Sequence, residues 1–195
     1  MATNSKVCLV LGAGPGLGYS LGKKWANMGH QVVVTRRRAS DQEEIRNNIG
    51  ENVVAMECDV TSAKQTEELV NAVEKDYGAI DTLLYNAGSG VFKTYENLSL
   101  DEFEKSFATN ATGLLIAAQI ICPRMEKRGG GVIGVTGATA SLRGKPVTAG
   151  FAPAKAAQRM LAQSLARQLG PKDIHVFMLS SMVESKLEPL VVVGK

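Results

Sequence analysis

The sequence has few of the residues that mark metal-binding or disulfide-rich proteins. Its 195 residues include three cysteines, Cys8, Cys58 and Cys122, which stand far apart. No two of them have the spacing of a metal site, and an odd number does not suggest a disulfide framework. We therefore predict reduced thiols in the core and no metal site.

Charge of one sign and long apolar runs are also scarce. Lysine and arginine number 22 against 19 acidic residues, a net charge of +3, so nothing favours a nucleic-acid or membrane-surface partner. No apolar run reaches the roughly 18 residues that a membrane-spanning helix needs. Residues 1–6 are polar and show no secretory signal. The expectation is a cytoplasmic protein that binds neither membranes nor nucleic acids.

Apolar strands alternate with helical patterns along the chain. The predicted strands cover residues 7–11, 31–35, 53–57, 80–85, 132–136 and 174–179. The predicted helices cover residues 17–28, 61–77, 98–127 with a bend near 109–113, and 152–169, and another starts at the capping-box sequence beginning with Ser40. This alternation predicts an α/β fold, a doubly wound parallel sheet of six strands in the order 3-2-1-4-5-6. Residues 1–180 form the expected dinucleotide-binding domain.

A glycine-rich turn separates the first predicted strand from the first helix. It contains Gly12, Gly14, Gly16, Leu17 and Gly18. Such a loop needs glycine because its backbone turns sharply and approaches a pyrophosphate closely, and the helix that follows offers free N–H groups to the phosphates. The strand–turn–helix context favours a dinucleotide site over a glycine-rich turn without a ligand.

The end of the second strand indicates which dinucleotide is bound. An NAD site usually has an acidic residue there, which bonds the ribose 2′-OH. Here Arg36, Arg37 and Arg38 follow the strand, and the first carboxylate is Asp41. Arginine can bind a 2′-phosphate with two hydrogen bonds, so NADP(H) is preferred over NAD(H). The alternative is a solvated basic turn.

Further short motifs follow in order, and together they carry a family resemblance. They are the pair Asp59 and Val60 after the third strand, the triplet Asn86, Ala87 and Gly88 after the fourth, Asn110 in the long helix, and Lys155 in the next. With the glycine loop, the chain resembles the short-chain dehydrogenase/reductase family over nearly its whole length. The resemblance implies that Asp59 contacts adenine and that Asn110 and Lys155 belong to the catalytic set. It also implies that Lys155 binds the ribose of the cofactor. The residues alone leave two alternatives, Asp59 as a helix cap and Asn86 as a turn residue.

Two catalytic positions depart from the family pattern. Phe151 stands at the position of the family tyrosine, which exchanges the proton with the substrate, and Ala138 at that of the serine, which orients the carbonyl. Phenylalanine has no ionisable group and alanine no hydrogen-bonding group. Thr139 is a candidate to replace the serine. Thr136, Ser141 or a water held by Lys155 and Asn110 are candidates to carry the proton.

The C-terminal residues also differ from the family pattern. Ser180-Ser181-Met182-Val183 replaces the usual Pro-Gly, and the sequence ends after the apolar residues 190–193. We expect residues 181–195 to be an aberrant or truncated segment and the seventh strand of the family to be missing. Two alternatives stay open for the terminal valines: a short last strand or an exposed apolar tail.

The substrate is expected to be a small molecule, and oligomers are expected. Apolar residues in the predicted pocket loops are Val91, Phe92, Tyr95, Leu142 and Met182. Family members commonly pair through the helices that carry Leu114, Leu115, Ala117, Ala118 and Ile121, then Ala156, Met160 and Leu161. The apolar surface of these helices exceeds what one sheet face covers, which predicts a homodimer or homotetramer.

Three functions stay open at this point. The first is an NADP(H)-dependent oxidoreductase that acts on a carbonyl or alcohol with an altered proton donor. The second is a pseudoenzyme, a protein that binds the cofactor without catalysis and serves as a sensor or partner subunit. The third is a shortened variant that folds poorly and does neither.

Overall fold

A computed structural model describes residues 6–37, 42–181 and 192–193 of the chain. These residues include seven strands: β1 (Val7–Leu11), β2 (Gln31–Arg36), β3 (Val53–Glu57), β4 (Ile80–Tyr85), β5 (Gly131–Ala138), β6 (Ile174–Ser181) and β7 (Val192–Val193). The helices are α1 (Leu17–Asn27), α2 (Gln42–Ile49), α3 (Ala63–Tyr77), α4 (Leu100–Phe107), α5 (Gly113–Lys127) and α6 (Ala152–Leu169). Four predicted features lie outside the described residues: Arg38, the cap at Ser40 and Asp41, the residues Met182 and Val183, and the tail at 190–191 and 194–195.

The strands form one sheet in the order β3-β2-β1-β4-β5-β6-β7, and the first six are parallel. The predicted doubly wound order of six strands is therefore confirmed. β1 and β2 are almost completely buried, because parallel strands carry helices on both faces. The order reverses between β1 and β4, so the carboxyl ends of these two strands open a crevice.

The expectation of a missing seventh strand is wrong. Val192 and Val193 pair antiparallel with Leu179 and Met178 of β6. β-branched residues favour an extended backbone, which explains why this short valine run adds to the edge of the sheet. Of the two alternatives for the valines, the short strand is the one observed.

Each face of the sheet has its own hydrophobic core. One core contains α1 and α2 side chains with Cys8, Val10, Val32 and Val34. The other contains α3, α5 and α6 side chains with Leu9, Leu83 and Ile133. The prediction for the cysteines is confirmed, since Cys8, Cys58 and Cys122 are all buried and free.

The predicted long helix is divided at the predicted bend. α4 and α5 are joined by a π-helical turn at Ala108–Thr112. Together they form a continuous helix, Leu100–Lys127, which is long and apolar enough by composition to cross a membrane. Its apolar side is buried against the sheet, as in a core helix of a globular domain. Half of the residues on which the oligomer argument was based are buried in the chain's own core: Leu114, Ala117, Ala118 and Ile121. Only Leu115 and Met160 are exposed, so that excess of apolar surface is not observed.

Candidate functional site

The glycine loop connects β1 to α1 at the crevice. A Cβ on Gly12 would overlap the backbone of Ala87, so only glycine fits this close approach of two chain segments. Gly14 and Gly16 face open space, and Gly16 has a φ of 103°, which favours glycine. Gly16 is the N-cap of α1 without a capping side chain, and the first turn of α1 contains no acidic residue. The positive end of the helix is thus available to an anion.

A groove of about 1240 Å³ extends from this loop along the carboxyl ends of the strands. Most of the predicted cofactor residues line it: Gly12, Gly14, Leu17, Gly18, Arg36, Arg37, Asp59, Val60, Asn86, Ala87 and Gly88. Gly16 and Lys155 are the two predicted cofactor residues that do not line it. The volume is ample for a dinucleotide. The open space over Gly14 and Gly16 is where a pyrophosphate would approach the backbone, so these residues fit NADP(H) or NAD(H).

Asp59 lies at the rim of the groove after β3. Its Oδ1 accepts hydrogen bonds from the N–H (2.9 Å) and the hydroxyl (2.7 Å) of Thr61. These two bonds, with a smaller contribution from the charge of Arg37, lower the pKa of Asp59. The alternative role for Asp59 as a helix cap is not observed, because the side chain of Ser62 caps α3. Asp59 is therefore an ionised carboxylate that faces the groove near Arg37.

Hydrogen bonds connect the glycine loop to the helix that carries Lys155. Asn86 donates from Nδ2 to the Gly12 carbonyl (2.7 Å) and accepts at Oδ1 from the Thr136 hydroxyl (2.9 Å). Lys155 Nζ donates to the Thr136 carbonyl (3.0 Å). Asn86 is thus more than a turn residue, because it joins β1, β4 and β5. We call these four residues the relay chain.

Asn110 lies in the π-helical turn and is fully buried. Its Nδ2 donates to the carbonyls of Ser106 (2.9 Å) and Ser89 (3.1 Å). Its Oδ1 has no hydrogen-bond partner among the described residues. A Cβ on Gly88 would lie 3.3 Å from this oxygen and 3.6 Å from Lys155 Nζ. The structure therefore brings Asn110 and Lys155 together at Gly88.

The Lys155 side chain is only 5% exposed. Besides the Thr136 carbonyl, its Nζ donates to Oε1 of Gln158 (3.0 Å), which is fully buried. Burial lowers the pKa of Lys155 to about 8. The ammonium is thus stabilised by two neutral acceptors and loses its proton far more readily than a lysine in water.

Apolar groups occupy the two altered catalytic positions. Ala138 is buried at the end of β5, which extends two residues further than predicted. The ring of Phe151 packs against that of Phe92, with centroids 5.1 Å apart, and its centroid lies 5.9 Å from Lys155 Nζ. Thr139 is exposed at the first position after β5. Phe151 therefore offers no hydroxyl at the position where the family tyrosine would have one.

The two loops predicted to line a substrate pocket carry exposed apolar side chains. A Cβ on Gly150 would lie 2.8 Å from a methyl group of Val91, which shows how closely the two predicted pocket loops pack. Phe92, Tyr95 and Leu142 of these loops are exposed. Met182, the fifth residue predicted for the pocket, lies outside the described residues. These side chains suit an apolar ligand better than a charged one.

Sequence reasoning missed three polar residues that shape the site. Thr35 Oγ1 accepts a hydrogen bond from the Gly12 N–H (3.3 Å), Tyr85 donates to the Thr109 carbonyl (2.5 Å), and Gln158 binds Lys155. Tyr85 is the last residue and Thr35 the last but one of a buried strand beside the crevice, and this position is the signal that could have identified them. Gln158 had a similar signal, one helical turn after Lys155.

Comparison with known proteins gives consistent results. The family model described as short chain dehydrogenase matches residues 6–187. The chain is 30% identical over 177 residues to the 7alpha-hydroxysteroid dehydrogenase of Escherichia coli K12, an alignment that covers 89% of this chain and 69% of that protein. It is 28% identical over 206 residues to the 3alpha-hydroxysteroid dehydrogenase of Mediterraneibacter gnavus, covering 98% and 82%.

Solved structures agree with the fold. The structure of 3-ketoacyl-(acyl-carrier-protein) reductase from Brucella melitensis, complexed with NADH, superposes with a TM-score of 0.85 at 27% identity and covers 91% of this chain and 75% of that one. A short-chain dehydrogenase from Streptomyces avermitilis has a TM-score of 0.84 at 22% identity, with 93% and 72% covered. The second likeness concerns the fold alone.

Proposed function

The chain belongs to the short-chain dehydrogenase/reductase family, a family of oxidoreductases, and we propose that it is an NADP(H)-dependent member with an altered catalytic set. The observation that carries this proposal is the convergence of Asn110 and Lys155 on Gly88, at the inner end of a groove with an intact glycine loop. Its reaction is the interconversion of a carbonyl and an alcohol.

Preference for NADP(H) over NAD(H) rests on charge at the adenosine end of the groove. Arg37 is exposed, lines the groove, and is close enough to Asp59 to lower the pKa of that carboxyl. An arginine at this point attracts the dianionic 2′-phosphate of NADP(H), and no described carboxylate follows β2 directly to bond a free 2′-OH. One similar structure is complexed with NADH, so NAD(H) is the competing cofactor.

NADP(H), when bound, supplies the hydride to the carbonyl carbon or takes it from the alcohol. The protein must then deliver a proton to the carbonyl oxygen. We assign this step to Lys155 and Asn110, with a water between them as carrier, because the Asn110 Oδ1 is an unpaired buried acceptor beside the ammonium. A lysine with a pKa of about 8 releases a proton readily near neutral pH. Thr139, exposed at the end of β5, would orient the carbonyl.

The substrate is proposed to be a small ketone or secondary alcohol on an apolar skeleton. Support comes from the exposed apolar side chains of the pocket loops, Phe92 and Leu142 among them. Two of the relatives are hydroxysteroid dehydrogenases by name, so both act on apolar alcohols. The aromatic pair of Phe92 and Phe151 would form one wall of the pocket.

A second candidate function is binding of the cofactor without catalysis, as a sensor or partner subunit. Phe151 and Ala138 favour it, because neither can hydrogen-bond a substrate oxygen while the cofactor loop is complete. A homodimer or homotetramer, a cytoplasmic location and a domain boundary near residue 180 remain proposals for either function.

The experiment combines binding with turnover. NADPH and NADH are titrated into the full chain by fluorescence, and NADPH consumption is then followed with aldehydes, ketones and quinones. Tighter binding of NADPH with turnover of an apolar ketone would support the proposal, and Lys155→Met should abolish that turnover. Saturable binding without turnover of any substrate would favour the second candidate. Equal affinity for the two cofactors would contradict the cofactor assignment.

A further inference from the structure

Arg36, the last residue of β2, contacts the glycine loop and the helix that follows it. Its Nε donates a hydrogen bond to the Ala13 carbonyl (3.0 Å). Its guanidinium carbon lies 5.0 Å from the centroid of the Tyr19 ring, in the first turn of α1. The side chain is 18% exposed, which is little for an arginine. Arg36 therefore connects β2, the loop and α1.

Helix α2 completes this arrangement through Glu44. Its Oε1 accepts a hydrogen bond from the Tyr19 hydroxyl (3.1 Å) and lies 3.9 Å from the Arg36 guanidinium. We call Arg36, Tyr19 and Glu44 the loop clamp. The carboxylate balances the charge of Arg36 inside the clamp, so this arginine has less positive potential to offer a phosphate than an arginine without such a partner.

The clamp acts on a residue whose other backbone group is also held. The Ala13 N–H donates to the Thr35 carbonyl (2.8 Å), while its own carbonyl accepts from Arg36. Both polar groups of Ala13 are thus fixed before a ligand arrives. A pyrophosphate is bound by the N–H groups of such a loop, and a loop fixed in advance loses less conformational entropy on binding.

Arg37 has a different environment. It is exposed, and its charge acts on Asp59 across the groove. We propose that Arg36 is a positioning residue that fixes the phosphate loop through Ala13, whereas binding of the 2′-phosphate is left to Arg37. This inference rests on the proposed preference for NADP(H). It separates two neighbouring arginines that the sequence treats alike.

Two fragments of the cofactor test this division of roles. ADP has the pyrophosphate without a 2′-phosphate, and adenosine 2′-phosphate has the reverse. The full chain and the matched variants Arg36→Met and Arg37→Met are titrated with each fragment by calorimetry. Arg36→Met should weaken ADP about tenfold and change adenosine 2′-phosphate less than about twofold, whereas Arg37→Met should do the opposite. A general loss of structure would weaken both fragments together.

The clamp itself is tested with Tyr19→Leu, which removes both the ring under Arg36 and the hydroxyl on Glu44. It should weaken ADP as Arg36→Met does, and the double variant should add less than the product of the two effects. Glu44→Gln, which retains an acceptor for Tyr19, should weaken ADP less than Tyr19→Leu. If Arg36→Met does not fold, the comparison of these two variants decides the matter.

Several results would overturn the inference. Arg36→Met that weakens adenosine 2′-phosphate alone, or both fragments equally, would show that Arg36 does not act on the loop. Additive effects of Arg36→Met and Tyr19→Leu would contradict the clamp. Failure of the cofactor proposal can be distinguished from failure of this inference. An unmodified protein that binds ADP but not adenosine 2′-phosphate does not recognise the 2′-phosphate. The effect of Arg36→Met on ADP affinity still decides the role of Arg36.

Discussion

The two halves of the site are held together by different kinds of contact. In the cofactor half, around β1 to β4, hydrogen bonds fix the loop from several sides, through Thr35, Arg36 and Asn86. In the half around the end of β5 and the start of α6, the contacts are apolar: Phe151 packs on Phe92, and Ala138 is buried without a hydroxyl. The residues that fix the loop and the residues at positions 138 and 151 make separate sets of contacts, so one set can change while the other is kept.

Stability explains how such a change is tolerated. A buried hydroxyl that loses its partner costs about 1–3 kcal/mol, whereas an apolar group of the same shape avoids that penalty. Phe151 differs from tyrosine by one oxygen and remains packed at 7% exposure. This half of the site therefore keeps its packing without a hydroxyl at position 151. Variants that restore hydroxyls should sharpen the contrast, and variants that disturb the loop should break it.

The largest effect is expected from Phe151→Tyr combined with Ala138→Ser. The pair should raise carbonyl reduction by about 10²–10⁴-fold, because it restores a general acid beside Lys155. The gain should be non-additive, since both groups would contact one substrate oxygen. NADPH consumption measures it, with Phe103→Tyr as a control that adds a hydroxyl on α4. An unmodified protein that already turns over about 10 times per second would show that another group supplies the proton efficiently.

Gly16→Val should break the cofactor half. Gly16 has a φ of 103° and faces open space, so valine would both strain the backbone and fill the space of the pyrophosphate. NADPH affinity should fall at least about 100-fold in a fluorescence titration. Gly29→Val is the matched control. Gly29 also has a positive φ (84°) and open space where a Cβ would lie, but it follows α1 and does not line the groove. Normal binding by Gly16→Val would move the site elsewhere.

Lys155 should make stability depend on pH at the junction of the two halves. Its pKa is lowered in the folded state to about 8, so the unfolded chain binds more protons between about pH 8 and pH 10.5. Its contribution to the free energy of unfolding therefore rises with pH across that range, and the burial penalty is fully present below about pH 8. Relative to Lys155→Met, the unmodified protein should gain about 2–3 kcal/mol between pH 7.5 and pH 10.

Urea unfolding at both pH values measures this gain, and the difference between the two proteins cancels the titration of other groups. Lys75→Met on the surface of α3 is the control and should show no such change. A constant difference between Lys155→Met and the unmodified protein across this range would mean that Lys155 keeps an ordinary pKa.

The smallest effect is expected from Tyr85→Phe. The Tyr85 hydroxyl donates to the Thr109 carbonyl in the π-helical turn that carries Asn110. Its loss should lower the free energy of unfolding by about 1 kcal/mol. Denaturant unfolding measures the change, with Tyr77→Phe at the end of α3 as the control. An unchanged stability would show that the turn does not depend on this hydrogen bond.

Local patterns in the sequence predicted the features that depend on neighbouring residues. The glycine loop, Asp59 and Asn86 each follow a strand that the apolar pattern identifies, so their place at one sheet edge follows from the parallel order. The different roles proposed for Arg36 and Arg37 could not be predicted, because the partners of Arg36 lie on other elements. Tyr19 precedes it by 17 residues and Glu44 follows it by 8 residues. Gln158 was missed because a glutamine on a helix is usually solvated.

The boundary of β5 shows the same limit. The apolar pattern ends at Thr136, yet β5 continues to Ala138, because pairing with β6 extends to Ser181. Small residues at Gly137 and Ala138 give no strand signal of their own, and the partner strand provides it. The two-residue β7 likewise exists through pairing with β6, which a reading of residues in isolation does not reveal.

The relay chain has a consequence for the communication between ligands. From the Gly12 carbonyl through Asn86 and Thr136 to Lys155, each residue is bonded to the next, and the chain crosses three neighbouring strands. A shift of the loop backbone on ligand binding would have to be accommodated by each residue in turn, up to the amine of Lys155. Linkage is reciprocal, so a substrate that displaces Lys155 changes the affinity of the loop for its own ligand by the same factor. The relay chain therefore offers a route by which occupancy beside Lys155 and occupancy of the glycine loop alter each other's affinity.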